Sequence, residues 1–391
     1  MQQKFLTFGA PDIMQAEIDE VVDSLHRGWL GTGPKVAQFE RDFAAFKQVD
    51  PERVVALNSC TAALHLSLIA AGIGAGDEVI TTALTFCATV NAILHVGATP
   101  VLADVDPVTS NIDCTDVEQR ITPRTRALIP VHFAGRPSDM QALAALAQQH
   151  GLVIIEDCAH ALEAKIDGVA TGTFGNFACF SFYATKNVTT GEGGMVLARS
   201  PDAAARIRRL SQHGMSADAW QRFGSSGYKH YQVTECGFKY NMMDLQAAIG
   251  LHQLRRVLAS WQKRQALWRG YQQQLAGLPV DLPAEPASTR HAHHLYCIKV
   301  RPGEGLPERD SVLERMSAQG IGVGVHYLSI AEHPYYQQRF GWRPEQWPHA
   351  MRLGRQTLSL PLMPQLSAQD QERVIAALAN SMLGGFSSPR D

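Results

Sequence analysis

Lys186 is the residue whose setting points most directly to chemistry. It lies in Ser181-Phe182-Tyr183-Ala184-Thr185-Lys186-Asn187, ahead of Thr190-Gly191-Glu192-Gly193-Gly194 and between two apolar runs. A loop lysine is ordinarily a solvated cation. Two neighbours argue for a confined amine instead. Ser181 sits within the first apolar run, and the glycine-rich turn allows unusual backbone angles just before the second. A confined lysine can form a Schiff base with a carbonyl. Asp157, in Ile154-Ile155-Glu156-Asp157-Cys158-Ala159-His160, closes another apolar run. Its carboxylate either caps a following helix or sits opposite a protonated ring nitrogen. His160 either covers such a ring or is an ordinary satisfied histidine.

Asn58-Ser59-Cys60-Thr61-Ala62-Ala63 runs from a strand end into a helix start. Thr61 and Ala62 there could seat an anion on backbone N–H groups and a hydroxyl, although hydroxyl-rich helix starts are common. Phe86 also follows a strand, and either stacks on a flat ring or joins the core. A phosphate seat, a ring stack, a nitrogen partner and a lysine, in that order, are what pyridoxal 5'-phosphate (PLP) requires of a protein. None of these roles calls for a metal.

The elements that would place these residues alternate. Val54–Leu57, Glu78–Thr82, Pro100–Ala103, Ala127–Val131 and Leu152–Glu156 read as strands; Thr61–Ala71, Thr85–His95, Thr115–Ile121 and Asp139–His150 read as helices. This alternation predicts an α/β fold with a mainly parallel sheet, its ligands at the carboxyl ends of the strands. Phe177–Phe182 and Met195–Ala198 read as two more strands bracketing the lysine loop. The first 50 residues carry two helical patterns joined by Gly28–Pro34, either a plain loop or a backbone surface that approaches a ligand. Asp244–Leu275 has long-helix character and leads out of the large domain. Beyond it come a strand at Tyr296–Val300, a helix at Ser311–Gln319, a strand at Gly322–Tyr327 and a helix at Ser367–Leu383. The expected division is a large domain at 1–255 and a smaller C-terminal α/β domain at 256–391.

Composition narrows the class. With 391 residues, 45% hydrophobic and 18% charged, the chain is ordinary globular material of two lobes. A net charge of −2 offers no bulk basic field for nucleic acid. The cluster Arg206, Arg208 and Arg209 reads as a solvated helix face. No apolar stretch is long enough to span a membrane and no signal peptide is evident. The 7 cysteines include no Cys-x-x-Cys pair, which fits a reduced, cytoplasmic protein.

In these motifs the chain resembles the DegT/DnrJ/EryC1/StrS sugar aminotransferases, PLP enzymes of fold type I with the aspartate aminotransferase architecture. The resemblance runs from Gly31-Thr32-Gly33-Pro34 through Glu156–His160 and the lysine loop to Gly237-Phe238-Lys239-Tyr240-Asn241-Met242 and Ser359-Leu360-Pro361-Leu362. It implies Lys186 as covalent anchor and proton carrier, and Asp157 as partner of the pyridinium nitrogen. Thr61, Ala62 and Ser181 would hold the phosphate, Phe86 would stack on the ring, and His160 would touch the ring hydroxyl. It also implies a homodimer with shared active sites, segment 237–242 reaching the neighbour's cofactor. The commoner motif there is Gly-Tyr-Asn-Tyr-Arg; here Lys239 replaces Asn and Asn241 replaces Arg, leaving both as candidates for the phosphate contact. Substrate contacts are implied at Thr32, Gly33, His294, His326 and Tyr327. The implied reaction moves an amino group from glutamate, by way of pyridoxamine 5'-phosphate, to a nucleotide-linked keto-sugar. The pattern is most similar to members that aminate UDP-linked 4-keto sugars, of the UDP-4-amino-4-deoxy-L-arabinose synthase type, which serve lipopolysaccharide.

The alternatives are a 3-keto or a dTDP- or GDP-linked sugar and, more distantly, a non-catalytic PLP-binding regulator. Relatives that dehydrate sugars carry histidine in place of the lysine, so Lys186 argues against that activity. A nicotinamide dehydrogenase would need Gly-x-Gly-x-x-Gly after the first strand, and Asn58–Ala63 contains no glycine.

Overall fold

Short runs of Val, Ile, Leu and Ala become strands buried on both faces, as a sheet covered by helices requires. The computed structural model describes residues 5–216, 231–284, 289–301 and 303–383. The strands are β1 (Val54–Leu57), β2 (Glu78–Thr82), β3 (Thr99–Ala103), β4 (Thr125–Ile129), β5 (Val153–Asp157), β6 (Lys165–Ile166) and β7 (Val169–Ala170). They continue as β8 (Phe177–Ser181), β9 (Gly194–Ala198), β10 (Val280–Asp281), β11 (Thr289–Arg290), β12 (Tyr296–Val300) and β13 (Thr357–Leu360). The central sheet has the order β1-β9-β8-β5-β4-β2-β3. Within it only β9 runs against the others, pairing antiparallel with β8 and β1. A smaller sheet, β10-β12-β13, and the ribbon β11-β6-β7 complete the set.

Alternation along β1 shows how the core is divided. Val55 and Leu57 pack with Leu64 and Leu68 on one side of the sheet, while Val54 and Ala56 pack with Phe39, Phe43 and Phe180 on the other. Helices α1 (Gln15–Arg27), α2 (Pro34–Lys47), α3 (Cys60–Ala70), α4 (Cys87–His95), α5 (Cys114–Arg120), α6 (Met140–His150) and α7 (Pro201–Leu210) accompany this sheet. The second sheet has its own core of Trp268, Tyr271, Tyr296, Ile298, Leu358 and Leu378.

Three expectations change. The long helix over Asp244–Leu275 is two helices, α8 (Asp244–Arg255) and α9 (Val257–Gln274), parted where Arg256 leaves helical geometry at φ −104°, ψ 7°. Gly322–Tyr327 is not a strand, because its backbone partners are divided. Gly322 donates to the Leu6 carbonyl and Gly324 exchanges hydrogen bonds with Ser359, so no continuous ladder forms. Nor is the basic cluster on α7 a free solvated face. Arg208 grips both oxygens of Glu40 at 2.9 and 3.0 Å, and Arg206 reaches Glu235 at 3.2 Å.

Helix α1 is amphipathic in the reverse sense. Its buried residues are Glu17 and Ser24, which face inward, whereas Ile18, Val22 and Leu25 are 48%, 41% and 55% exposed. Glu20 pairs with Lys35 and His252, so polar contacts hold α1 to the body of the protein.

Candidate active site

The carboxyl ends of the central strands open on a cavity of about 540 Å³. Strand β5 brings Asp157 to it. Successive side chains in a strand point to opposite faces, so Glu156 turns away from the cavity. Glu156 instead accepts the backbone N–H groups of Gly172, Phe174 and Gly175 at 2.7–2.9 Å and meets His132 Nε2 at 3.2 Å. His132 Nδ1 accepts the Ser138 N–H at 3.0 Å. The trio His132, Glu156 and Cys158 has metal-like spacing, but these bonds already satisfy its histidine and carboxylate, making it a hydrogen-bonded layer behind the site.

Asp157 is 5% exposed. Its Oδ2 accepts from the Thr89 hydroxyl at 2.9 Å and its Oδ1 from the Ala159 N–H at 3.1 Å. Burial pushes its carboxyl above the usual range, and those two donors and the Lys186 charge oppose the rise. Burial also pushes the Lys186 ammonium down to about 8, with Cys60 and Asp157 pulling it back. A lysine so placed supplies neutral amine close to neutral pH.

On the other side of the cavity stands the start of α3. Ser59 caps it, its hydroxyl accepting the Ala62 N–H at 3.1 Å, and Cys60 and Thr61 line the cavity with Ser181 of β8. Strand β9 crosses here so closely that a Cβ on Gly194 would lie 2.4 Å from the Ser59 carbonyl carbon. Only glycine fits. On the opposite wall, His160 Nε2 pairs with the Tyr327 hydroxyl at 3.1 Å, and its Nδ1 is buried with no partner among the described residues. His326 Nδ1 pairs with Ser359 Oγ at 2.8 Å, and burial beside Lys186 lowers His326 to about 4.

Of the residues singled out from sequence, Thr61, Phe86, Asp157, His160, Ser181, Lys186, His294, His326 and Tyr327 line this cavity together. Phe86, 56% exposed, stands 5.8 Å from the Tyr327 ring. Ala62 lies behind the wall, its N–H taken by Ser59. Thr32, Gly33, Lys239 and Asn241 are not among the residues that line it. Asn241 Nδ2 donates to Thr32 Oγ1 at 2.6 Å, and the Lys239 carbonyl accepts from Asn58 Nδ2 at 3.4 Å. A Cβ at Gly33 would strike the exposed Trp29 indole and force it to move. Sequence reasoning passed over Thr89 and Cys60. Thr89 lies one helical turn beyond Thr85, whose hydroxyl it meets at 3.0 Å, and that spacing is the signal that could have found it. Glu163 and Asn187, bonded to each other at 3.0 and 3.1 Å, left no such local sign.

The residues present fit PLP. The unpartnered His160 nitrogen offers a bond to a polar ring substituent, the glycine-bounded α3 start offers an anion seat, and Lys186 and Asp157 supply the amine and the carboxylate. Fold and site together define a fold type I PLP-dependent enzyme, and comparison with known proteins agrees. The sequence matches the DegT/DnrJ/EryC1/StrS aminotransferase family over residues 11–379, and the chain belongs to that family. The spore coat polysaccharide biosynthesis protein SpsC of Bacillus subtilis (strain 168) is 47% identical over 384 residues, covering 97% of this chain and 98% of SpsC. Among solved structures, the PLP form of Spr1654 from Streptococcus pneumoniae aligns with TM-score 0.89 and 32% identity, covering 96% of this chain and 98% of that one. The sugar aminotransferase CalS13 from Micromonospora echinospora aligns with TM-score 0.85 and 30% identity over 95% of this chain and 99% of its own. The protein is a PLP-dependent sugar aminotransferase.

Proposed function

We propose that this enzyme moves the amino group of glutamate to a nucleotide-linked keto-sugar, with a UDP-linked 4-keto sugar favoured, in the making of an amino sugar for lipopolysaccharide or another glycan. The observation that carries the reading is Lys186, lowered to about 8 in a cavity it shares with Asp157. Bound PLP supplies an electron sink for the carbon that loses its proton. The chain supplies the rest. Lys186 Nζ accepts that proton and returns it in a 1,3-shift, to the carbon on the far side of the nitrogen, as an amine that titrates near working pH can do in both directions. Asp157, fixed by Thr89 and Ala159, keeps a carboxylate on the cavity floor. His294 and His326, lowered by burial, stay neutral and offer hydrogen bonds to sugar hydroxyls. Glutamate leaves as its 2-keto acid, and the sugar's carbonyl oxygen leaves as water.

The enzyme works as a homodimer in this proposal. The outward apolar face of α1, whose buried side is polar, is suited to cover by a second copy. Lys239, Asn241, Thr32 and Gly33, which do not line their own chain's cavity, would then serve the neighbour's. The chain divides into its two domains near Arg256, where α8 gives way to α9. The name of SpsC supports a polysaccharide pathway. The described cysteines are all free, in keeping with a reducing compartment such as the cytoplasm. No described helix is long and apolar enough to cross a membrane.

The test is spectroscopic. With PLP the protein should absorb in the visible, borohydride should fix the cofactor to the Lys186 peptide, and glutamate should bleach the band. A panel of UDP-, dTDP- and GDP-linked 3- and 4-keto sugars should then restore it selectively. Covalent fixation in Lys186→Ala would overturn the lysine assignment. A band unmoved by glutamate and other amino donors would favour the regulator.

A further inference from the structure

Asn187 directly follows Lys186 and faces three oxygen atoms that can only accept hydrogen bonds. Its Nδ2 lies 3.1 and 3.0 Å from the two Glu163 oxygens and 3.0 Å from the Ala292 carbonyl. Glu163 is the ion-pair partner of Arg264, and both side chains are buried. A charged carboxylate and a carbonyl would repel an amide oxygen, so the nitrogen of Asn187 must face them. Its Oδ1 is thereby turned to His294 Nδ1, 3.0 Å away. That oxygen can only accept, so His294 must carry a hydrogen on Nδ1. Burial holds the His294 imidazole well below its usual range, and the Lys186 charge lowers it further. A neutral ring with its hydrogen on Nδ1 has none on Nε2. The same ring lines the cavity, its centroid 4.5 Å from that of His160.

We propose that Asn187 is a positioning residue that fixes His294 in its Nδ1–H form, so that Nε2 presents a proton-free acceptor to a hydroxyl of the sugar. The relay runs from Arg264 through Glu163 and Asn187 to His294, joining helix α9 to the residue beside the catalytic lysine. Such an acceptor selects a sugar with an O–H group at that point. A keto or ether oxygen in the same place would set lone pair against lone pair and leave a buried acceptor unsatisfied. The inference rests on the nucleotide-sugar reading of the cavity only for the identity of the group that His294 meets.

Long-range proton–nitrogen correlation spectra of holoenzyme labelled with ¹⁵N-histidine test it directly, with His294 assigned by its loss in His294→Gln. The expected result is a protonated Nδ1 and a bare, pyridine-like Nε2. The reverse tautomer, or a cation at neutral pH, would overturn the proposal. This measurement needs no substrate and no further variant. As the second arm, Asn187→Ala should lose the single tautomer. It should also raise KM for a UDP-linked 4-keto-6-deoxyhexose about tenfold while changing kcat less than about threefold. An unchanged KM beside a scrambled tautomer would remove the sugar contact from His294. If the wild-type enzyme turns over no nucleotide-linked keto-sugar of the panel, the substrate proposal fails while the tautomer result stands on its own.

Discussion

The depressed basicity of Lys186 has a consequence that can be read in the apo-protein. An amine titrating at about 8 in place of 10.5 is neutral at pH 7 in roughly one molecule of eleven, against about one in three thousand for a free lysine side chain. The supply of nucleophile is then roughly 300-fold greater. If apo-enzyme is mixed with saturating PLP, the initial rate of covalent capture, followed by the visible band, should rise with pH and level off above about 8. Nα-acetyl-lysine in parallel cancels the ionisation of the cofactor itself, and its rate should keep rising towards pH 10.5. Asp157 is one of the two groups that raise Lys186, so Asp157→Asn should move the midpoint down. A capture rate that still climbs beyond pH 10, or a midpoint that moves up in Asp157→Asn, would refute the reasoning. The linkage has a definite sign. Between about 8 and 10.5 the unfolded chain holds the extra proton, so the apo-protein should gain stability as pH rises across that window.

Two further outcomes follow from buried and exposed side chains. Glu163→Gln leaves the Arg264 guanidinium, 2% exposed, without its counter-charge. It should cost about 3–5 kcal/mol in urea denaturation of the apo-protein, and Glu163→Gln with Arg264→Met should recover much of that; a loss below about 1 kcal/mol in the single variant would mean the pair is effectively solvated. Val22→Glu with Leu25→Glu on the outer face of α1 should yield monomers by sedimentation, and an unchanged dimer would place the interface elsewhere.

Much of the site was legible because strand ends are legible. Asp157, Ser181 and Lys186 each follow or close an apolar run, and in a parallel sheet such positions converge on one edge. Their neighbours in space were harder to read. Thr89 acts across 68 residues to fix Asp157, and Arg264 and Glu163 lie 101 residues apart, so no local spacing joins them. The false strand at Gly322–Tyr327 had the right alternation, but a strand needs one continuous partner and this segment has two discontinuous ones. The break between α8 and α9 falls among residues of good helical propensity, where neither proline nor glycine marks Arg256. Reverse amphipathicity on α1 was invisible to a pattern that assumes apolar residues face inward.

Adjacent carboxylates on β5 carry a last consequence. Glu156 and Asp157 differ by one methylene, and the ring of N–H groups from Gly172, Phe174 and Gly175 is matched to the longer one. A slip of the strand by a single residue would exchange their faces, offering the short carboxylate to a cage it does not span. Gly172 holds that cage shut at φ +88°, where a Cβ would meet the Phe180 ring. The cage therefore acts as a ruler for the strand: it measures side-chain length on the hidden face and thereby decides which acid the reacting face receives. Insertions or deletions in the loops flanking β5 should be tolerated only when they leave that measurement unchanged.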